Sequence, residues 1–135
     1  MSVSLELAHT VVTRAHEHAR ASGAQIAVAV VDEGGHLRAL GRMDGAAPLT
    51  AKIAEAKAVS VALFGRDGSV LRAMQADHPE FLAQVSDVAG RSILAGAGSV
   101  LIRVNGVVVG AMAVSGGGPD QDDDCAQAAL TALPA

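Results

Sequence analysis

The sequence predicts an α/β (α+β) domain in three layers, α/β/α, with an antiparallel sheet held between helices. Three observations carry this. Two hairpins can be read, one through the turn DEGGH (Asp32 to His36) and one through Asn105-Gly106. Their strands carry apolar residues at odd and even positions alike, so both faces of the sheet need cover. Helical stretches lie before, between and after the hairpins, an order unlike the strict strand-helix alternation of a parallel doubly wound sheet.

Ser4 is placed to cap a first helix whose apolar positions Ala8, Val11, Val12, Ala15 and Ala19 follow three-four spacing, and Gly23 is placed to end it. Strand one, Gln25 to Val31, and strand two, Leu37 to Met43, are close enough in sequence to pair antiparallel. Pro48 precedes a second helix from Leu49 to Phe64, closed by Gly65. A broken helical region follows, with Ser69 a cap for VLRAMQA and Asp77 or His78 a cap for the turn starting at Pro79. A short strand around Ser92 to Ala95 fits the pattern, although Gly96 and Gly98 interrupt it. SVLIRV and VVVGAMAVS flank Asn105-Gly106, where a type I′ turn needs positive φ at both central residues. The last helix is expected from about Asp120 to Leu133, with Asp122, Asp123 and Asp124 in a first turn that favours negative charge.

At 135 residues and 50% hydrophobic, the chain fits one domain spanning residues 1–135. No Trp, no Tyr and only two Phe leave a core of small side chains, so association between copies is an expected source of further burial. A net charge of −4 without a basic run argues against nucleic acid or an anionic membrane as partner. Cys125 is the lone cysteine, which excludes an internal disulfide and a thiolate zinc cluster, and alanine neighbours make it an inert structural thiol. The N-terminal segment has no basic-then-apolar pattern and no apolar run is long enough to span a membrane, so a cytoplasmic location is expected.

The residue least suited to its surroundings is Lys57, which falls among Thr50, Ile53, Ala54, Val61 and Phe64 on one side of the second helix. Burial would lower its pKa unless an anion held the charge, as in catalytic and anion-binding lysines. Otherwise its stem runs along the core and the amine reaches solvent, or pairs with Asp32 or Asp44. Arg38 and Arg42 share one face of strand two with Leu40, and one could clamp a carboxylate, Arg42 being better placed because it leads into MDG at the strand end; the alternative is a solvated or interface arginine. His36 has no second histidine at metal-ligand spacing, so no dedicated metal site is expected, and it stays eligible for acid/base work. His9 and His16 lie on one flank of the first helix and His18 on the other, where solvated histidines are ordinary. SGGGPDQDDD, Ser115 to Asp124, joins a strand to a helix start. Its aspartates oppose phosphate, while Gly116 and Gly117 could hold a small carboxylate or admit another backbone.

Three blocks, VVDEGGHLRALGRMDGA, AKIAEAKAVSVALFGR and VNGVVVGAMAVSGGGPDQDDDCAQAAL, resemble the GlcG/HbpS-like family, which includes haem-binding proteins and the C-terminal domain of PduO-type proteins. The resemblance runs from Leu5 to Leu133. It implies a profilin-like arrangement, with an antiparallel sheet flanked by helices, and homo-oligomers from dimers to octamers. The family pattern maps onto Asp32, Gly34, Gly35, His36, Arg42, Asp44, Lys57, Gly116, Gly117 and Asp122 among others. AGAGSVLI replaces the glycine-proline stretch usual before the C-terminal hairpin, and no axial-ligand motif is available to transfer.

Three functions follow. The resemblance implies an oligomeric small-ligand-binding protein with haem as its cofactor; in that reading His36 or a histidine of the first helix would stand near iron and Arg38 or Arg42 would pair with a propionate. The out-of-place lysine beside a charged corner suggests instead a lyase or isomerase acting on a carboxylate-bearing metabolite. There Lys57, His36 and Asp32 would be catalytic, while Arg42, Arg38, Asp44, Gly116 and Gly117 would bind the ligand. In the third reading the same residues bridge subunits of a non-catalytic scaffold.

Overall fold

The computed structural model describes residues 1–131 and 133. Five helices and four strands follow in the order α1 (Leu5–Ser22), β1 (Ala27–Asp32), β2 (Leu37–Arg42), α2 (Leu49–Phe64), α3 (Gly68–Asp77), α4 (Pro79–Ala89), β3 (Ser99–Val104), β4 (Val107–Ser115) and α5 (Pro119–Leu130). The strands form one antiparallel sheet in the order β2-β1-β4-β3. The two hairpins therefore join through their first and last strands. Ala27 stands opposite Ser115 and Asp32 opposite Gly110, so β1 and β4 run the full width of the core.

Side-chain alternation along the strands builds two separate cores. Val28, Val30, Val100, Ile102, Met112 and Val114 face one way, onto Ala8, Val11, Ala15 and Ala19 of α1 and onto Cys125, Ala126 and Ala129 of α5. Ala27, Ala29, Val31, Leu101, Ala111 and Ala113 face the other, onto Ala54, Ala58 and Val61 of α2 and Leu71 of α3. This is the expected three-layer α/β/α sandwich. Each fully buried valine contributes on the order of 1.5–3 kcal/mol, and the alanines mainly let the layers approach. At Gly110 that approach is at its limit, because a Cβ there would strike the Val31 carbonyl.

The local signals act as expected at most element ends. Ser4 Oγ accepts the Leu7 amide at 3.1 Å, and Gly23 and Gly65 close their helices with φ of 79° and 67°. Asn105 and Gly106 take φ of 53° and 77°, the left-handed pair a type I′ hairpin requires.

Four expectations are corrected. Residues Ser92 to Ala95 form no strand: the Ile93 amide donates to Ser86 Oγ and the Leu94 amide to Ser60 Oγ, so these amides are not available to a sheet ladder. α3 starts at Gly68 after Asp67 rather than at a Ser69 cap, and the Asp67 carboxylate accepts the Leu101 amide, tying the helix start to β3. The turn at Pro79 is a full helix, entered at His78, which gives no side-chain cap bond. α5 stops at Leu130 with Thr131 as its C-cap, short of Leu133. β2 is also less covered than its composition suggests: as an edge strand it leaves Leu37, Arg38, Leu40 and Arg42 exposed.

Candidate functional site

Lys57 sits midway along α2, and helical side chains lean toward the helix N-terminus. Its stem lies under Gly96, where a Cβ would come within 2.5 Å of Lys57 Cδ. Lys57 Nζ donates to the Ala97 carbonyl at 2.6 Å and, through a short bond, to the Val114 carbonyl. Asp122 Oδ2 stands 3.8 Å away, and both residues are buried, at 5% and 6% exposure. Asp122 Oδ1 accepts the Gly117 amide at 2.9 Å, and the neighbouring Asp123 accepts the Gly98 amide at 2.6 Å. Burial pushes the Lys57 ammonium below its usual 10.5, against the pull of Asp122 and Asp123. Burial likewise pushes the Asp122 carboxyl above 3.8, opposed by the Gly117 N–H and by Lys57.

The expected partners of Lys57 were Asp32 and Asp44, or solvent. The partner is Asp122, because the amine reaches the Val114 carbonyl near the end of β4, close to where α5 starts. The amine fastens three segments: the 96–98 loop, whose Gly98 carbonyl also accepts the Val114 amide, the end of β4, and the first turn of α5. None of the four clefts described below includes Lys57 in its wall.

The corner at Asp32 and His36 lies elsewhere. Asp32 Oδ1 accepts the amides of Gly34 and His36, both at 2.9 Å, so the carboxylate closes its own turn. Asp32 is at the opposite end of β1 from Ala27 and Ser115, roughly 16 Å of strand at about 3.3 Å per residue. Lys57 bonds at Val114, near the Ser115 end, so the structure does not bring Lys57 together with Asp32 and His36. Arg38 is exposed beside the irregularity in the β1–β2 register. Gly116, at φ 115°, admits the Gln25 carbonyl and Thr50, and Gly117 serves Asp122; both glycines act in close approach and turn closure here.

Arg42 and Asp44 do meet other polar groups. Together with His16, Arg20, Ala24, Gln25 and Met43 they line a cleft of about 510 Å³ between the end of α1 and the end of β2. His16 Nε2 stands 3.0 Å from the Gly41 carbonyl, an acceptor only, so this nitrogen carries the proton. Gly41 makes the contact possible: a Cβ there would lie 2.8 Å from His16 Cε1 and from Val12 Cγ1. Arg42 Nη1 donates to the Ala46 carbonyl at 2.7 Å, which leaves the other guanidinium donors for a ligand. Sequence reasoning offered Arg42 and a first-helix histidine as candidates without singling out His16, and it missed Arg20. The four-residue spacing of His16 and Arg20 on α1 was the signal available.

The remaining histidines are exposed. His9 lines a shallow cleft with Glu6, Thr10, Thr13, Arg14 and Glu17, and His18 one with Arg14, Glu17, Ala128 and Thr131. Cys125 is buried against the sheet, and burial raises its thiol above 9.0. Among the described residues no cluster of three or more His, Cys, Asp or Glu could hold a metal ion, and no helix is long and apolar enough to cross a membrane.

Comparison with known proteins finds relatives over nearly the whole chain. Residues 3–131 match the family model described as haem degrading protein HbpS-like. Protein GlcG of Escherichia coli strain K12 is 32% identical over 113 residues, covering 84% of this chain and 81% of GlcG. A crystal structure of a double mutant of Streptomyces reticuli HbpS superimposes with a TM-score of 0.87 at 29% identity, covering all of this chain and 89% of that one. A structure described as a PduOC:heme complex gives a TM-score of 0.86 at 23% identity, over 98% of this chain and 96% of that one, and shows likeness of fold.

Proposed function

The chain belongs to the HbpS-like family, and from that premise we propose that it binds haem in the cleft lined by His16, Arg20 and Arg42. The observation that carries this reading is the meeting of one imidazole and two guanidinium groups around a single cleft of about 510 Å³. The donor set suits the group. Arg20 and Arg42 would take the propionates, His16 would face the iron, and Ala24 and Met43 supply apolar contact. Asp44 on the same wall opposes negative charge and favours propionates held on the arginine side. When bound, haem supplies an iron centre whose chemistry is set by its axial ligand and surroundings.

The chain's own residues prepare the cleft. The Gly41 carbonyl fixes the His16 ring and its tautomer, leaving Nδ1 as the nitrogen with a free lone pair. The Ala46 carbonyl holds Arg42 at the rim. The rival constellation of Lys57, His36 and Asp32 finds less support, since the Lys57 amine is occupied by two carbonyls and Asp32 by its own turn. Self-association, from dimer to octamer, and a cytoplasmic setting belong to the same reading. The exposed Leu37, Leu40, Leu49 and Phe81 support association, as apolar surface that a second copy would cover.

Titration of the purified protein with hemin tests the proposal. A saturable, red-shifted Soret band is expected; a spectrum indistinguishable from free hemin would overturn it.

A further inference from the structure

We propose a second ligand site, specific for a small monocarboxylate with a short apolar tail, between α2 and the connection from α4 to β3. A cleft of about 400 Å³ lies there, within the range of small-molecule pockets. Its lining has three parts. The floor is apolar, made of Val59, which is buried, and Ala56. One wall is the pair Arg91 and Glu55, with Arg91 Nη2 3.8 Å from Glu55 Oε2. The mouth carries Lys52 and Ser92, both exposed.

Arg91 is held before any ligand arrives. Its Nη1 donates to the Gly35 carbonyl at 2.7 Å, anchoring the guanidinium across the molecule to the β1–β2 turn. A guanidinium has five N–H donors, and the loose contact to Glu55 and the bond to Gly35 leave several for a planar acceptor. A carboxylate between Arg91 and Lys52 meets two cations, and the hydrocarbon behind it rests on Ala56 and Val59. Glu55 in the same wall repels a second negative charge, so the site favours a monoanion over a dicarboxylate or a phosphate. Lys52, Glu55, Ala56 and Val59 recur at three-four spacing on α2, so one rigid helix face carries most of the lining.

Butyrate and n-butylamine, alike in size and opposite in charge, are the probes, followed by amide chemical shifts in a proton–nitrogen NMR titration. Butyrate should shift the amides of residues 52–59 and 90–92 in a saturable way, and butylamine should not. Lys52→Gln, at an exposed position, should weaken butyrate by roughly threefold. Arg91→Gln should weaken it by roughly tenfold, in keeping with a charge-assisted fork. Hemin titration of Lys52→Gln should match the wild type, which separates this site from the His16 cleft. The proposal is overturned if butyrate leaves those amides unmoved, if butylamine moves them equally, or if Lys52→Gln binds butyrate as the wild type does.

Discussion

Lys57 Nζ and Asp122 Oδ2 lie 3.8 Å apart inside the protein, joining the middle of α2 to the first turn of α5. Each also bonds to backbone: the lysine to the Ala97 and Val114 carbonyls, the aspartate to the Gly117 amide. The arrangement fixes the glycine-rich turn between β4 and α5.

Lys57→Met removes the donor of two carbonyls and leaves Asp122 buried without its counter-charge. Breaking a buried pair by removing one partner costs about 3–5 kcal/mol. Urea unfolding should show a loss of that order, whereas the exposed Lys52→Gln should stay within about 0.5 kcal/mol of the wild type.

The two shifted groups give stability opposite dependences on pH. Asp122 is raised above 3.8 in the fold, so its contribution is fully present below 3.8 and is lost as pH rises through the folded value. Lys57 is lowered below 10.5, so its contribution grows as pH rises from the folded value toward 10.5. Asp122→Asn keeps an oxygen for the Gly117 amide and does not titrate. Stability of the wild type relative to Asp122→Asn should therefore rise as urea midpoints are followed from neutral pH down toward 3.8.

Gly41→Ala places a methyl group against His16 and Val12 at an edge strand whose partner helix cannot withdraw without losing Val11 and Ala15 from the core. Overpacking of this kind costs about 1–3 kcal/mol. The variant should melt lower, and its hemin affinity should fall because His16 loses its fixed orientation. Unchanged affinity with a lowered melting temperature would dissociate Gly41 from the cleft.

What could be read from the sequence is what short stretches decide. Ser4, Gly23, Gly65 and Asn105-Gly106 each act within a few residues of chain, and each stands where expected. The three-layer order followed from strands apolar on both faces, a pattern that needs no knowledge of which helix supplies the cover. The site was harder, because its contacts depend on register and docking. Asp122 had a sufficient local explanation at a helix start, so nothing in its neighbourhood pointed to Lys57. The meeting of His16 with Gly41 needs β2 to be the edge strand beside α1, which the spacing of either segment leaves open. The turn at Asp32 was legible as a turn, but its carboxylate being occupied by Gly34 and His36 was not.

The most direct test of the central claim is a hemin titration of His16→Ala beside His36→Ala, with folding of each variant checked by far-ultraviolet circular dichroism. If haem binds in the cleft formed by α1 and β2, His16→Ala loses or blue-shifts the Soret band of the wild-type complex and His36→Ala retains it. A Soret band unchanged in His16→Ala and lost in His36→Ala would contradict the account and move the site to the far end of the sheet.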